Sequence, residues 1–315
     1  MNQIDVPVTG IAPGKIILFG EHSVVYGRPA IAVPVNQIQA TCRIETGPPG
    51  QGISIEARDL GEQYQLADLA EDNPLAAIIL KTLQACQWAD IPDLKLSLTS
   101  TIPMARGLGS GAAVSTAIVR ALSQSVHCEL DNQTISEIVY QVEKIHHGTP
   151  SGIDNTVVVF AQPIFFQRGQ RMLRLRAKMP LTFVIGDTGI KSPTHRVVGD
   201  LRRRRAAAVE RYEGYFDELA TIADQAKVAI EQGRLAAIGK CMSENQVVLA
   251  TIGISSPELN DLVMAAMAHG ALGAKLSGAG WGGNMIALVQ PQQAEAIQKA
   301  LLAAGAVHTF VTQVP

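Results

Sequence analysis

Aromatic side chains are scarce in this sequence. Seven Phe, five Tyr and two Trp make up 4% of 315 residues, whereas glycine alone accounts for 28. A core of this composition closes by tight packing of small and aliphatic residues, not around stacked rings. Excess charge is also missing: 26 Lys and Arg face 28 Asp and Glu, a formal charge of −2. Without a global field the chain has no general affinity for DNA, RNA or an acidic membrane, so any anion is bound locally. The four cysteines, Cys42, Cys86, Cys128 and Cys241, lie far apart with no CxxC spacing. That excludes a zinc framework and predicts small buried residues in a reducing cytosol. The first residues lack a basic n-region and an apolar h-region, and no run approaches a membrane span. A soluble cytoplasmic protein is expected.

The length allows two ordinary domains or one large α/β unit. In the first half, strand patterns are predicted at 15–19, 31–35, 39–45, 53–57 and 94–101, with helices near 74–88, 112–125 and 133–146. Further strands are predicted at 156–160 and 163–166. Beyond a strand at 181–186, Val209, Tyr212, Phe216, Leu219, Ala223, Ala226 and Ile230 recur at steps of three or four and predict one buried helical stripe. Another helix should precede Gly270. A strand at 284–290, a helix at 293–304 and a strand at 307–313 complete the pattern, that of helices segregated on a small antiparallel sheet. The expected fold class is α+β, with domains at 1–175 and 176–315.

Four stretches carry chemistry. The first joins a strand to a helix through Pro103-Met-Ala-Arg-Gly-Leu-Gly-Ser-Gly-Ala112. Glycines at such a junction let backbone N–H groups converge, and the helix adds its positive dipole end, so polyphosphate binding is expected. Gly107, Gly109 and Ala112 also satisfy G-x-G-x-x-G/A, with Glu129 and Asp131 about twenty residues on. A dinucleotide loop, however, usually follows its strand directly, and here residues 103–106 intervene. A Walker A motif fails because no Gly-Lys-Ser/Thr follows.

The second stretch, Pro13-Gly-Lys-Ile-Ile-Leu-Phe-Gly-Glu-His-Ser-Val-Val-Tyr-Gly27, places Lys15 at a strand start and Glu21 and His22 at its end. Singly, these read as an edge charge and turn residues. The third contains Glu143 near the end of a helix, the wrong end for its charge, and Asp154 beyond a Pro-Ser-Gly turn on a loop. A divalent metal on Glu143 and a proton acceptor at Asp154 would complete a phosphoryl-transfer site. The fourth, Lys275-Leu-Ser-Gly-Ala-Gly-Trp-Gly-Gly-Asn284, is a second glycine-rich loop.

Together these stretches resemble the GHMP kinase superfamily, and within it the mevalonate kinases. The first-motif match is 13–27, the second 103–112 and the third 275–283. Residues 147–155, 185–194 and 244–255 are also similar, so the resemblance runs from about 10 to 290. It implies an N-terminal domain like ribosomal protein S5 domain 2, a ferredoxin-like C-terminal domain and an active site between them. It implies Asp154 as base for the C5 hydroxyl of mevalonate, with Lys15 beside it. ATP would be bound by Pro103, Met104, Ala105, Arg106, Gly107, Leu108, Gly109, Ser110, Gly111 and Ala112. Mg²⁺ would rest on Glu143 with phosphate oxygens and water, or recruit Ser110 or Ser115, and mevalonate would rest on His22, Glu21, Thr194 and Ala279. No nucleic acid or membrane partner is implied, and a homodimer is compatible. Two positions depart from the family pattern: Gly111 replaces a second serine, and Trp281 replaces a glycine. Arg202 to Arg205, the sole support for an RNA-binding reading, more simply serve a helix end.

Overall fold

The computed structural model describes residues 4–104, 106–147 and 150–314. The chain forms two compact units. One comprises the residues up to Gly14, Asn36–Pro103 and Gly109–Ala161; the other comprises Lys15–Val35, Met104–Leu108 and the chain from Gln162 onward.

Strands β1 (Val8–Phe19) and β2 (Ala30–Thr46) contribute residues to both units. In the first unit, β3 (Ile53–Ala57) pairs antiparallel with β4 (Glu62–Gln65). The unit's helices are α1 (Pro74–Ala85), α2 (Ser110–Ser125), α3 (Asn132–His147) and α4 (Ile153–Phe160). Strand β5 (Leu94–Ser100) runs parallel to β3, with Ile55 opposite Leu96, and antiparallel to residues 40–46 of β2. Leu94, Leu96 and Leu98 are buried, as their alternation predicts. Asn73 starts α1 by accepting the Leu75 N–H at 2.9 Å, with Pro74 in the first turn.

The predicted strand at 156–160 is a correction: these residues form α4. A short β-branched run such as Val157-Val158-Val159 fits a buried strand or a buried helix equally, and tertiary packing decides. Here α4 packs against α2 and α3 with all three valines buried. Asn155 secures it by donating to the Ser136 carbonyl (3.1 Å) and hydroxyl (2.8 Å) of α3. The cysteine expectation also needs correcting. Cys42 and Cys241 are buried and free, but Cys86 and Cys128 form a disulfide joining the ends of α1 and α2. Forty-two residues separate the pair in sequence, so spacing gave no sign of it.

The second unit continues with β6 (Ile164–Phe166), which pairs with residues 30–32 of β2 and with β7 (Leu173–Arg174). Then come β8 (Leu181–Asp187), α5 (Thr194–Ala207), α6 (Val209–Gln232), α7 (Leu235–Thr251) and α8 (Pro257–Ala268). The chain closes with β9 (Gly273–Ser277), β10 (Asn284–Val289), α9 (Ala294–Ala303) and β11 (His308–Val314). The sheet order is β11-β8-β10-β9, antiparallel throughout.

The predicted stripe on α6 buries Phe216, Leu219, Ala223, Ala226 and Ile230, while Val209 is 50% exposed and lies outside it. Two glycines bring α7 onto β9. A Cβ on Gly239 would stand 2.0 Å from the Leu272 carbonyl oxygen, and one on Gly273 would stand 2.1 Å from the Gly239 carbonyl oxygen. Only glycine permits this approach. Arg204 and Arg205 occupy the last turn of α5, where cations suit the dipole; Arg204 also donates to the Ile252 carbonyl and pairs with Asp200. Among the described residues, no helix is long and apolar enough to cross a membrane.

Candidate active site

In the first unit the site is built largely from backbone. Gly109 caps α2 in the left-handed conformation (φ 76°), and no side chain caps that end. Ser110, Gly111 and Ala112 form the first turn, whose N–H groups have no carbonyl one turn earlier to bond, so they and the dipole suit an anion. Glu143 of α3 is buried, and its Oε1 lies 3.7 Å from where a Cβ on Gly111 would stand. A carboxylate thus sits beside the turn suited to phosphate. Asp154 is half-buried in the first turn of α4, behind the left-handed Gly152. The expectation of a loop position is corrected: an acid at a helix start is favoured by the dipole, and α4 holds it on a rigid element.

In the second unit, Lys15 is 3% exposed, and its backbone N–H donates to the Leu108 carbonyl at 2.9 Å. The buried lysine is therefore fastened to the glycine stretch 107–108. Arg106 pairs with Asp187 at 3.4 Å, and its carbonyl accepts from Asn284 at 2.6 Å. Gly107 meets the other glycine loop: a Cβ there would be 3.6 Å from the Gly278 Cα.

That second loop connects β9 to β10 with Gly278, Gly280, Trp281, Gly282 and Gly283 all at positive φ. Trp281 adopts φ 55° despite its side chain. Its backbone N–H donates to the Ile254 carbonyl and its indole N–H to the Gly253 carbonyl, both at 2.9 Å. Two hydrogen bonds offset the strain of a bulky residue in that region.

The loop's neighbours are the predicted acceptor residues. His22 Nε2 lies 2.8 Å from the Ala279 carbonyl. Burial lowers the His22 pKa to about 4, so the ring is neutral near pH 7. A neutral ring facing a carbonyl carries its proton on Nε2, which leaves Nδ1 as an acceptor. Glu21 is 1% exposed and makes an ion pair with Lys275, which is 0% exposed. Burial pushes the carboxyl up and the ammonium down, while each charge opposes the shift in the other. Ser277 bonds Ile17 twice, accepting its N–H at 3.2 Å and donating to its carbonyl at 2.9 Å. Thr194 starts α5, exposed, and Ser192 two residues before it donates to the Gly280 carbonyl at 2.7 Å.

The structure thus brings His22 to Ala279, Lys15 to Leu108 and Gly111 to Glu143. Ala105 lies outside the described residues, as do Gly148 and Thr149 of the motif 147–155. Sequence reasoning gave no role to Lys275, Asp187, Ser277 or Asn284. A lysine in the middle of the short strand β9 was the available signal, since a buried ammonium demands a partner. Among the described residues, no three His, Cys, Asp or Glu side chains cluster to hold a metal.

Residues 74–162 match the model of the GHMP kinases N terminal domain, and residues 226–307 match GHMP kinases C terminal. The chain is 34% identical over 316 residues to a mevalonate kinase of Pyrococcus abyssi, covering 95% of this chain and 93% of that protein. To a mevalonate kinase of Thermococcus gammatolerans it is 35% identical over 317 residues, covering 95% and 94%. Among solved structures, L. major mevalonate kinase in complex with R-mevalonate aligns with a TM-score of 0.85 at 28% identity, covering 99% of this chain and 97% of that one. Mevalonate kinase from methicillin-resistant Staphylococcus aureus MRSA252 aligns at 0.72 with 29% identity, covering 97% and 98%. The two-part α+β architecture, the paired glycine loops and identity along nearly the whole length agree: the chain belongs to the mevalonate kinase family of GHMP kinases.

Proposed function

We propose that this chain transfers the γ-phosphoryl group of ATP to the C5 hydroxyl of mevalonate, yielding 5-phosphomevalonate and ADP in the mevalonate route to isoprenoids. Relatives of that name match over nearly the whole chain. Within the structure, the observation that carries the reading is the buried Lys15 hydrogen-bonded through its backbone to Leu108 of the glycine stretch. A buried lysine whose backbone is fastened to a candidate phosphate-binding loop suits phosphoryl transfer, which depends on positioning and charge neutralisation.

In this reading Asp154 accepts the hydroxyl proton as the oxygen attacks the γ-phosphorus, and the bond from that phosphorus to the β,γ-bridging oxygen breaks. Lys15 lowers the hydroxyl pKa and neutralises charge on the transferred group. The amides of the stretch 107–112 hold the β- and γ-phosphates. His22 Nδ1 accepts a hydrogen bond from mevalonate, with Glu21, Thr194 and Ala279 around it.

Mg²⁺ fits the first unit. Phosphates at the start of α2 would repel the Glu143 carboxylate unless a cation lay between them, and a Cβ at Gly111 would be in contact with that carboxylate. Glu143 and Ser110 would hold the ion, which keeps several waters readily and so tolerates few protein ligands. When bound it neutralises phosphate charge. The assignment of 1–175 to ATP binding and 176–315 to a C-terminal domain, and a cytoplasmic location, are part of the same reading. The test is an ADP-release assay with mevalonate, phosphomevalonate, homoserine and galactose, with and without Mg²⁺. Turnover confined to mevalonate with Mg²⁺ is expected; preference for another acceptor overturns the assignment.

A further inference from the structure

The Glu21–Lys275 pair is the most deeply buried ionic contact among the described residues, and the reaction as outlined gives Lys275 no task. The Lys275 ammonium has two acceptors, Glu21 Oε1 and the Leu276 carbonyl at 2.6 Å. The other carboxylate oxygen, Glu21 Oε2, is buried and has no hydrogen-bond partner. A buried carboxylate oxygen without a donor is costly, and native structures rarely leave one so without cause.

The surroundings of the pair are held in place independently. β9 is pressed onto α7 by the Gly239–Gly273 approach, and Gln246 Oε1 accepts the Leu276 N–H at 2.9 Å. Ser277 ties β9 to Ile17, four residues before Glu21. A buried ion pair is therefore not needed to join these strands, and such pairs contribute little net stability over well-packed apolar residues. Glu21 adjoins His22, and Lys15 is near enough for its charge to favour the carboxylate form. The orphan oxygen thus lies among residues already assigned to the acceptor alcohol.

We propose that Lys275 is a positioning residue for the acceptor alcohol: by holding Glu21 Oε1 it fixes Glu21 Oε2 to accept a hydrogen bond from a substrate hydroxyl. The inference rests on the proposed phosphorylation of an alcohol. Two demands follow. Loss of Lys275 must weaken alcohol binding without weakening ATP binding. Its effect must also vanish once Glu21 is gone.

The test is a double-mutant cycle of Lys275→Met, Glu21→Leu and Glu21→Leu/Lys275→Met, read as KM for alcohol, KM for ATP, kcat and thermal midpoint. A hydrogen bond to a charged group corresponds to roughly 10–100-fold in binding. We expect each variant to raise the alcohol KM by that factor, with little change in kcat or in the KM for ATP, the signature of a lost binding contact. The double variant should be no worse than Glu21→Leu alone, and its melting point should return towards wild type because no charge remains unpaired. A double variant with wild-type alcohol KM reduces the pair to packing and overturns the proposal; so does multiplication of the two single effects. Should Lys275→Met fail to fold, Lys275→Gln takes its place in the cycle: a raised alcohol KM with an unchanged KM for ATP supports the proposal, and a wild-type alcohol KM overturns it. Wild-type turnover of another alcohol in place of mevalonate defeats the proposed function, and the cycle is then run on that alcohol. Wild-type turnover of mevalonate with an unchanged double variant defeats only this inference.

Discussion

Under the proposed function, the two units would supply their parts of the chemistry by different means. In the first, Gly109, Gly111 and the opening turn of α2 offer backbone amides, and one carboxylate, Glu143, stands beside them. In the second, Glu21, His22 and Lys275 offer side chains that are buried, paired or neutral. Polyphosphate oxygens can be gripped by backbone amides and a helix dipole, with cations to neutralise the remaining charge. A small alcohol must be recognised by hydroxyls, which calls for acceptors fixed in a dry place. The first half therefore depends on backbone conformation, the second on desolvation.

Changes that separate chemistry from binding test this contrast most severely. Asp154→Asn in the first unit should lower kcat by about 10²–10⁴, the scale of a positioned acid–base group, with both KM values little changed. Steady-state ADP release checks it, and near-normal turnover would remove Asp154 from the mechanism. Next in size, Cys86→Ser/Cys128→Ser should destabilise the first unit by about 4 kcal/mol on the loop-entropy estimate for 42 residues, and reductant should lower the melting point of the unaltered protein in the same direction. An identical melt with and without reductant would show that the bridge contributes nothing.

The second unit should instead be sensitive to acid through His22. Its folded pKa, about 4, lies below the ordinary 6.5, so the unfolded chain takes up a proton first as pH falls. The associated stability is complete above pH 6.5 and is lost between 6.5 and 4, about 3 kcal/mol in all. Urea unfolding across that window should show the slope, and His22→Asn should flatten it. The smallest effect is expected at Gly111→Ser. The new Cβ meets only ordinary contact with Glu143, so stability should change by about 0.5 kcal/mol or less, while the Mg²⁺ concentration for half-maximal rate falls several-fold. An unchanged Mg²⁺ requirement would show that no ligand is missing at this position.

The difference between the halves also explains what was readable. Glycines 107 and 109 mark the strand-to-helix junction in the sequence, and in the structure both adopt left-handed conformations there. The alternation at Leu94, Leu96 and Leu98 and the stripe from Phe216 to Ile230 reach the core because burial enforces their periods. Val157 to Val159 misled because a short apolar run has no period of its own. Glu21 and Lys275 stand 254 residues apart, and no local pattern links them. The discontinuous units were hidden for a similar reason, since the strands β1 and β2 carry no composition change where membership passes from one unit to the other.

By itself the sequence determined the glycine loops, the order of most strands and helices, and the family to which the motifs belong. These follow from local backbone preference and hydrophobic period, which neighbouring residues fix. Only the tertiary structure decided that 153–160 is helical, that Cys86 meets Cys128, that His22 is neutral with Nδ1 left to accept, and that Glu21 is clasped by Lys275. Each of these depends on which distant groups are brought together and stripped of water, and desolvation belongs to the folded neighbourhood, not to any residue within it.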